Sequence, residues 1–532
     1  MPTNNPQYYR NKLDPLTIDK GTLLNILKEL QSAVIHGTQL IQSNCHVPDI
    51  PNYGSIFSGT PGVVLAFLRL GRQASCLAGN HELKLPNFQG LAQERIISTP
   101  TQISLAPGRM SPIVSSPVGA AVLRILATCE IRDTSTKATG SHVFKSDVAM
   151  LRDVIDAELK HGHTINYRDH IMGGDEVLYG RAGLLWATLN IRHYIQHDET
   201  RDVLKPVLED IPKLIDAIIE SGKQGALDFA KQYGEKEAFP LMWLWMENYY
   251  GLGAGQAKPG ILTILLQCEI GELEDGAARI YLPLISGTIT SLCRICIANN
   301  GHLPTAIPPM SSSRPSHLVQ LCHGSPGLLV LLATARRHAS LSTYWQPEWD
   351  EAIYLGTERV WEEGLLSKGG SLCHGLTGNV WPLLMLHDSF EYPKDLHSVK
   401  RTTMENTTVP TKSSSSNTSS ETLSGDYFLS RALAFLRLAQ ECPPYSTDLG
   451  IKASYNFRMP DRPYGLYEGL AGMVCAWAEA CAVIQARLRK MEIDGAGEEA
   501  ANKLMDDEIF ESYMLQQLGV PGLGGQGPNG LL

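Results

Sequence analysis

The stretch LCHGLTGNVWPLLML, from Leu372 to Leu386, joins a glycine-rich turn to a long apolar run. Glycine takes backbone angles that other residues avoid and lets the chain approach its neighbours closely. The run after the turn is apolar on nearly every side, as in a helix that is buried on most of its faces. We therefore predict that a buried helix begins at the turn around Gly375.

The same frame, a Gly-x-x-Gly or small-residue variant followed directly by an apolar run, occurs seven times in the chain. Amphipathic stretches such as GTLLNILKELQSAVIHGTQLI lie between the copies, with Leu, Ile and Val at three- and four-residue spacing. The pattern predicts one outer and one inner helix in each repeat. The copies are marked by Gly59, Gly119, Gly180, Gly255, Gly324, Gly375 and Gly469, of which the second and fourth are the weakest.

A single helix pair of this kind cannot bury its apolar face, but stacked neighbours can. Seven pairs can close into a ring, so we predict an all-α fold. It is an α/α toroid (barrel) of seven inner and seven outer helices, whose glycine-rich turns meet at one rim. Residues 1–532 then form a single domain with a core at about 20–485. The alternative is a set of unrelated helical domains, which the length of 532 residues permits.

Two segments lie outside this scheme. Residues 395–425 are polar and rich in Ser and Thr, with almost no large apolar groups. Such a segment cannot offset the entropy lost on ordering, so we predict a disordered surface insert. The tail GVPGLGGQGPNGLL, residues 519–532, is predicted to be flexible.

Composition and charge exclude several classes of protein. The chain has 43% hydrophobic and 19% charged residues, as soluble globular proteins do. Its net charge of −10 and the lack of a basic stripe argue against a nucleic-acid partner. We see no signal peptide and no apolar run long enough for a transmembrane segment. A cytoplasmic, reducing location is therefore expected, with peripheral membrane association left open.

Two Leu-Cys-His-Gly sequences lie 51 residues apart, at Cys322 and Cys373, in a chain with only 11 cysteines and 16 histidines. If both turns lie on one rim, Cys322, Cys373 and His374 can reach a single point. Two thiolates and an imidazole suit zinc, and three protein ligands leave a fourth position open for catalysis. His323 then remains free for hydrogen bonding or proton transfer. The alternative is that each cysteine is a small buried apolar residue.

The seven glycine-rich helix starts, with CHGSPG, CHGLTGN, LYGRAG and YEGLAG, together resemble the lanthionine synthetase C-like (LanC-like) family, and the longer eukaryotic branch fits best. The resemblance spans residues 20–485 approximately. It implies an α/α toroid with a zinc cofactor at its centre. It also implies an enzyme that adds glutathione to dehydroalanine or dehydrobutyrine in proteins. Such residues form when phosphate is eliminated from phosphorylated Ser or Thr, so dehydrated or phosphorylated proteins are the implied partners.

The resemblance assigns roles to individual residues. The zinc ligands fall on Cys322, Cys373 and His374, in agreement with the spacing. Lys368 and Arg458 match two bases that help to hold the phosphate of the modified side chain, a contact that charge favours. An acid before the third repeat falls on Glu176, with Asp175 as the near alternative, and it could transfer a proton or orient a base. Without the resemblance, each of these charged residues would be taken for a solvated surface group or a helix-end acid.

One departure from the family affects the chemistry. The fourth repeat of the family usually reads Gly-Ala-Ala-His-Gly, and its His is a proposed acid or base. This chain has GAGQAKPG, which puts Gln256 at that position, and Gln does not exchange protons at neutral pH. Leu321 also stands where relatives often have Trp. Lys258 is close to Gln256 in sequence, but nothing in the sequence shows that it substitutes for the His.

Three functional hypotheses remain. The first is a zinc enzyme that forms thioethers, with His323 as the leading residue for proton transfer. The second is a non-catalytic scaffold that binds glutathione or a phosphopeptide and retains zinc, which the Gln256 replacement favours. A third and weaker hypothesis is a glycoside hydrolase on a related toroid, which would need paired carboxylates at the rim.

Overall fold

The computed structural model describes residues 6–45, 54–78, 84–96, 106–129, 141–195, 197–276, 279–308, 317–392, 423–446, 455–495 and 504–525. Within them, helices dominate and alternate between an inner and an outer layer. The inner helices are Thr60–Arg72, Ser116–Cys129, Arg181–Tyr194, Lys258–Leu265, Ser325–Arg337, Leu376–Glu391 and Leu470–Asp494. The outer helices are Lys20–Asn44, Phe88–Arg95, His142–Glu158, Ile211–Tyr233, Leu282–Ala298, Pro347–Glu363 and Gly425–Ala439.

The inner helices form a closed ring. Each packs against the next along the chain, and the seventh packs against the first. Backbone hydrogen bonds also join neighbouring turns at the rim where the inner helices begin. The Cys322 N–H donates to the Cys373 carbonyl, the Cys373 N–H to the Tyr467 carbonyl, and the Tyr467 N–H to the Phe57 carbonyl. The Phe57 N–H donates to the Ile113 carbonyl, and the Ser111 N–H to the Tyr179 carbonyl. The predicted all-α fold, an α/α toroid, is therefore confirmed.

The glycine frame has a steric cause. At five inner helices, a Cβ on the second glycine would lie 1.8–2.2 Å from the carbonyl oxygen six residues earlier. No side chain fits at that distance, so the turn can fold back on the helix only if that residue is glycine. These glycines are Gly62, Gly183, Gly260, Gly378 and Gly472.

The two weakest copies differ from the predicted frame. In the second repeat the helix begins at Ser116, so Gly119 is the second glycine of the frame and not the first. In the fourth repeat the N-cap is Ala257, and Gly255 lies two residues before it in the turn. In the other five repeats the first glycine is the N-cap residue, as the sequence suggests: Gly59, Gly180, Gly324, Gly375 and Gly469.

The remaining elements lie in the connections. The described strands form three short antiparallel pairs. Thr164–Tyr167 pairs with His170–Gly173, with Thr164 opposite Gly173; Tyr250–Gly251 pairs with Ala306–Ile307; and Glu274–Asp275 pairs with Arg279–Ile280. Further helices are Ala74–Ala78, Asp198–Leu208, Ile270–Leu273 and Glu508–Leu515, with 3-10 turns at Glu235–Glu237, Ala339–Tyr344 and Leu504–Asp506.

The helix Leu470–Asp494 is long and apolar enough to cross a membrane. However, 89% of its most apolar window is buried inside the protein, where it packs against the helices Lys20–Asn44 and Thr60–Arg72. Burial by its own neighbours identifies it as a core helix of the ring.

Part of the predicted flexible tail is buried. Residues 516–525, which we call the floor segment, follow the helix Glu508–Leu515 and enter the ring of inner helices. Val520 and Leu523 are 0% and 4% exposed and belong to the main hydrophobic core. The prediction of flexibility is therefore wrong for residues 519–525, while residues 526–532 lie outside the described part of the chain.

The predicted Ser/Thr-rich insert, residues 395–425, lies outside the described residues up to position 422. Its last three residues are ordered. Leu423 is buried, and the Ser424 side chain accepts a hydrogen bond from the Tyr427 N–H and so caps the seventh outer helix. The predicted C-terminal end of the insert, residue 425, therefore lies about three residues too late.

Candidate metal centre

Cys322, Cys373 and His374 meet at the rim of the ring. One ligand atom from each, two sulfurs and an imidazole nitrogen, lies within 4.8 Å of the other two. Both cysteines precede the N-cap glycine of an inner helix by two residues, and these two helices are neighbours in the ring. The geometric condition for the predicted metal site is therefore met, and a Cys₂His set with an open position is one that zinc accepts.

Backbone contacts hold the two cysteine turns together. The Cys322 N–H donates to the Cys373 carbonyl at 3.3 Å, and the Gln320 amide donates to the Cys322 sulfur at 3.2 Å. Gly324 has a φ of +120°, and a Cβ there would lie 1.9 Å from the Leu318 carbonyl oxygen. The turn that carries Cys322 is thus fixed before any metal binds.

The two thiols differ in acidity. The Cys373 thiol donates to the Cys322 sulfur, and this contact, together with a hydrogen bond from His374, holds the pKa of Cys322 well below its usual range. The same contact and burial raise the pKa of Cys373. Cys322 is therefore the cysteine that loses its proton more readily, and metal binding requires thiolates.

His323 does not belong to this ligand cluster. Its backbone N–H donates to the Gln320 carbonyl, and its Nδ1 is buried without a hydrogen-bond partner among the described residues. The side chain lies one residue from Cys322 and keeps an unused ring nitrogen. A role of His323 in proton transfer stays a prediction, and no described contact places the side chain in that role.

Glu176 is buried in the turn before the third inner helix. It is 4% exposed, and one carboxylate oxygen accepts a hydrogen bond from the Leu178 N–H at 2.9 Å. Burial raises the pKa of Glu176 to about 8, against the opposing effect of that hydrogen bond and of the Arg109 charge. Asp175, the near alternative, is paired with Arg181 at 2.7 Å and also bonds to Ser221. Of these two acids, Glu176 is therefore the one whose carboxyl group holds a proton near neutral pH.

Lys368 and Arg458 come together although they are 90 residues apart. The Arg458 N–H donates to the Ser367 carbonyl at 3.0 Å, and both side chains are exposed. The Lys368 charge acts on the Cys373 thiol. Neither base forms an ion pair with a carboxylate in the described ranges. Two cations on adjacent chain segments, neither paired with a carboxylate of the described residues, suit an anionic group.

The residue four positions before the second glycine of the frame occupies an equivalent place in all seven repeats. Each of the seven is partly exposed, whereas the residue after it is buried in most repeats. The set forms a ring of side chains at the rim, in repeat order Ser58, Ser115, Tyr179, Gln256, His323, His374 and Glu468. Sequence reasoning singled out three of these and missed Glu468, whose charge acts on Cys373. The position before the glycine was the signal that could have identified it.

Gln256 is partly exposed in this ring, next to the repeat that carries Cys322. Lys258 cannot replace the missing His there. It is 0% exposed, its ammonium donates to the Gly251 carbonyl at 3.1 Å, and it lies between the rings of Phe239 and Tyr250. Burial lowers the pKa of Lys258 to about 7.

A second group of possible ligands, His387, Glu391 and Asp426, lies between the sixth inner helix and the start of the seventh outer helix. Its carboxylates are already paired, Asp426 with Arg487 and Glu391 with Lys490 at 2.6 Å. The His387 ring nitrogen that faces them bonds to the Gly425 carbonyl. This group is an ion-pair network.

Comparison with known proteins gives consistent matches. A family model described as lanthionine synthetase C-like protein matches residues 120–430. The chain is 26% identical over 319 residues to the glutathione S-transferase LANCL1 of Danio rerio, and the aligned residues make up 60% of this chain and 62% of the relative. It is 27% identical over 322 residues to the LanC-like protein GCL1 of Arabidopsis thaliana, and these make up 60% of this chain and 58% of that relative. The match thus spans about three fifths of the length of these relatives.

Proposed function

Because this chain belongs to the lanthionine synthetase C-like family, we propose that it adds the thiol of glutathione to dehydroalanine or dehydrobutyrine residues of proteins. The observation that carries the proposal is the convergence of Cys322, Cys373 and His374 at the rim. The similarity to a protein named as a glutathione S-transferase supports glutathione as the thiol. The identity of the target proteins and a cytoplasmic location remain predictions from the sequence.

Cys322, Cys373 and His374 would hold the zinc ion. Zinc bound there supplies Lewis-acid chemistry, since it lowers the pKa of a thiol in the open position. In the addition, the thiol gives up its proton to a base, its sulfur bonds to Cβ of the dehydrated residue, the Cα=Cβ double bond becomes a single bond, and one proton is delivered to Cα. No group leaves, and the atoms of both substrates remain in the thioether.

The protein's own groups would handle the proton and the substrate. Glu176 is neutral at pH 7, because burial raises its pKa to about 8, and so it can give a proton. His323 offers an unpaired nitrogen for the same task. Lys368 and Arg458 would attract the phosphate of a phosphorylated precursor, or a carboxylate of glutathione.

The test is to incubate the protein with glutathione and a dehydroalanine peptide and to weigh the product. We expect an adduct with the combined mass of both substrates. Cys373→Ala should remove both zinc, expected at about one per chain, and the adduct. Cys293→Ala is the matched control, because Cys293 is a buried cysteine on an outer helix. Zinc-loaded protein that gives no adduct above the uncatalysed rate would reject catalysis.

A second function, a scaffold that binds glutathione or a phosphopeptide without turnover, is favoured by Gln256. If the missing base limits the rate, Gln256→His should raise the rate of adduct formation about 10-fold or more, since general acid–base groups contribute about 10²–10⁴-fold. Gln256→Asn, which restores no base, is the control. An equal rate in all three proteins would show that this position does not limit catalysis.

A further inference from the structure

The floor segment, residues 516–525, lies inside the ring of inner helices. A Cβ at Gly525 would lie within 4 Å of Thr334, Met385 and Thr263, which belong to three different inner helices. The Gln267 amide, just after the fourth inner helix, donates to the Leu523 carbonyl. The segment therefore fills the interior of the ring on the side away from the rim, where the inner helices end.

Charged and polar side chains of the inner helices form hydrogen bonds with the backbone of this segment. Arg69 of the first inner helix donates to the Gly519 carbonyl, and the Gly519 N–H donates to Glu479 of the seventh at 2.8 Å. The Gln73 amide donates to the Gln516 carbonyl at 2.9 Å. Arg69 and Glu479 are both fully buried. Burying charged groups is costly unless they form hydrogen bonds, so these bonds indicate that the segment is a fixed part of the structure.

The conformation of the segment explains its composition. Gly522 and Gly524 have φ values of +80° and +67°, and the Gly524 N–H donates to the Val520 carbonyl at 2.7 Å. A tight turn with positive φ needs glycine. The glycines therefore serve an ordered turn, whose tip points toward the rim.

Tyr467 connects this turn to the metal centre. Its hydroxyl donates to the Pro521 carbonyl at 2.8 Å, and its own carbonyl accepts the Cys373 N–H at 2.7 Å. Its ring stacks on Phe57, with centroids 4.8 Å apart. Burial raises the pKa of Tyr467, so its hydroxyl stays a donor. Tyr467 is thus held at three points, and one of its contacts sets the backbone of a metal ligand.

We infer that residues 516–525 form a floor beneath the metal centre, which positions Cys373 through Tyr467. Tyr467 is a positioning residue in this arrangement. The inference rests on the metal site of the proposed function, but not on the thiol addition. Contacts that orient metal ligands change metal affinity by about 10–100-fold when they are removed.

The first test is Tyr467→Phe, which keeps the stacked ring and removes the bond to Pro521. We expect the affinity for zinc, measured by chelator competition, to fall about 10-fold, and the absorption bands of the Co²⁺-loaded protein to shift. Tyr281→Phe removes a comparable hydroxyl contact to Asp216 near the fourth and fifth repeats and is the control. Unchanged affinity and unchanged Co²⁺ bands in Tyr467→Phe would overturn the inference.

The second test compares two glycines of the floor segment. A Cβ at Gly522 would lie 2.0 Å from the Tyr467 hydroxyl, whereas one at Gly525 meets Thr334 and Met385 at 2.8 and 2.9 Å. Both have positive φ, so Ala strains both turns. We expect Gly522→Ala to weaken zinc binding about 10-fold or more, and Gly525→Ala to leave it within about twofold. Equal effects of the two variants would make the floor a purely structural element.

A metal-free readout separates this inference from the proposed function. In apo protein, the rate of Cys373 alkylation by iodoacetamide, followed by peptide mass, should rise severalfold in Tyr467→Phe and Gly522→Ala but not in Gly525→Ala. This result would stand even if the wild-type protein formed no thioether or bound no zinc. Alkylation that is the same in all four proteins would reject the positioning role.

Discussion

At the scale of single residues, the two cysteines of the cluster have opposite acidities for one reason. They share a hydrogen bond, and the sulfur that receives it is stabilised as a thiolate while the donor keeps its proton. A metal would release the second proton, so binding should be tighter at higher pH. Glu176 instead holds its proton more tightly than an exposed carboxyl group, because burial favours its neutral form and raises its pKa.

Glu176 leads to a prediction about pH. Its pKa of about 8 means that the protonated form is present below pH 8 and is lost as the pH rises through that value. If Glu176 gives the proton to Cα, kcat should fall above about pH 8. Glu176→Gln should lower kcat by about 100-fold and remove this decline. Glu220→Gln, on an exposed ion pair with Lys223, is the control. A decline that persists unchanged in Glu176→Gln would assign the proton to another group, with His323 next in order.

At the scale of elements, one unit is built seven times. A turn folds back over the first turn of an inner helix, and the glycine at its third helical position leaves room for a carbonyl. The same turn places the residue four positions before that glycine at the rim. Sequence variation at that position and at the one before it converts a structural repeat into a candidate site, because Cys373 and His374 offer metal-ligand atoms where Phe57 and Ser58 in equivalent positions do not.

The steric role of the frame glycines can be measured on a helix outside the metal centre. A Cβ at Gly183 would lie 2.0 Å from the Ser111 Oγ and 2.2 Å from the Val177 carbonyl. Gly183→Ala should therefore lower the free energy of unfolding by about 2–3 kcal/mol, as overpacked cores do. A Cβ at Gly271 would have no atom within 4 Å, so Gly271→Ala should leave the free energy of unfolding unchanged or raise it by about 0.5–1 kcal/mol. Urea unfolding measures both, and equal values would contradict the steric explanation.

At the scale of the whole molecule, the ring closes without a covalent link between its ends. The turn that carries Tyr467 bonds to Phe57 in the first repeat, and the seventh inner helix packs against the first. The floor segment then connects the interior of the ring, since it contacts inner helices that are not consecutive in the ring, such as the first and the fourth. Closure and floor together hold the candidate metal centre at the rim of the ring, with the floor segment in contact with Tyr467 on its inner side.

The Ser/Thr-rich insert should be dispensable for this architecture. Its flanking residues already lie together, because a Cβ at Gly425 would be 2.7 Å from the Glu391 Cβ, and His387 bonds to the Gly425 carbonyl. Replacement of residues 395–420 by a short Gly-Ser linker should leave the thermal unfolding midpoint and the zinc content unchanged, since loop length changes stability only slowly. A variant that loses zinc or unfolds at lower temperature would show that the insert contributes to the core.

By itself, the sequence determined the toroid and the cluster of two cysteines and a histidine that could hold a metal. Both depend on patterns that repeat along the chain, and a repeated turn brings its residues to equivalent places in a closed ring. The two Cys-His-Gly turns therefore had to meet once the repeats were recognised, and Gln256 could be compared with the family position by position.

Only the tertiary structure decided the floor segment, the burial of Lys258 and the meeting of Lys368 with Arg458. A glycine-rich segment suits both a mobile tail and a turn with positive φ, and the contacts of Arg69 and Glu479 decide between them. The pKa of Glu176 likewise depends on how completely its neighbours exclude water. These properties come from groups far apart in the chain, whose approach no local pattern encodes.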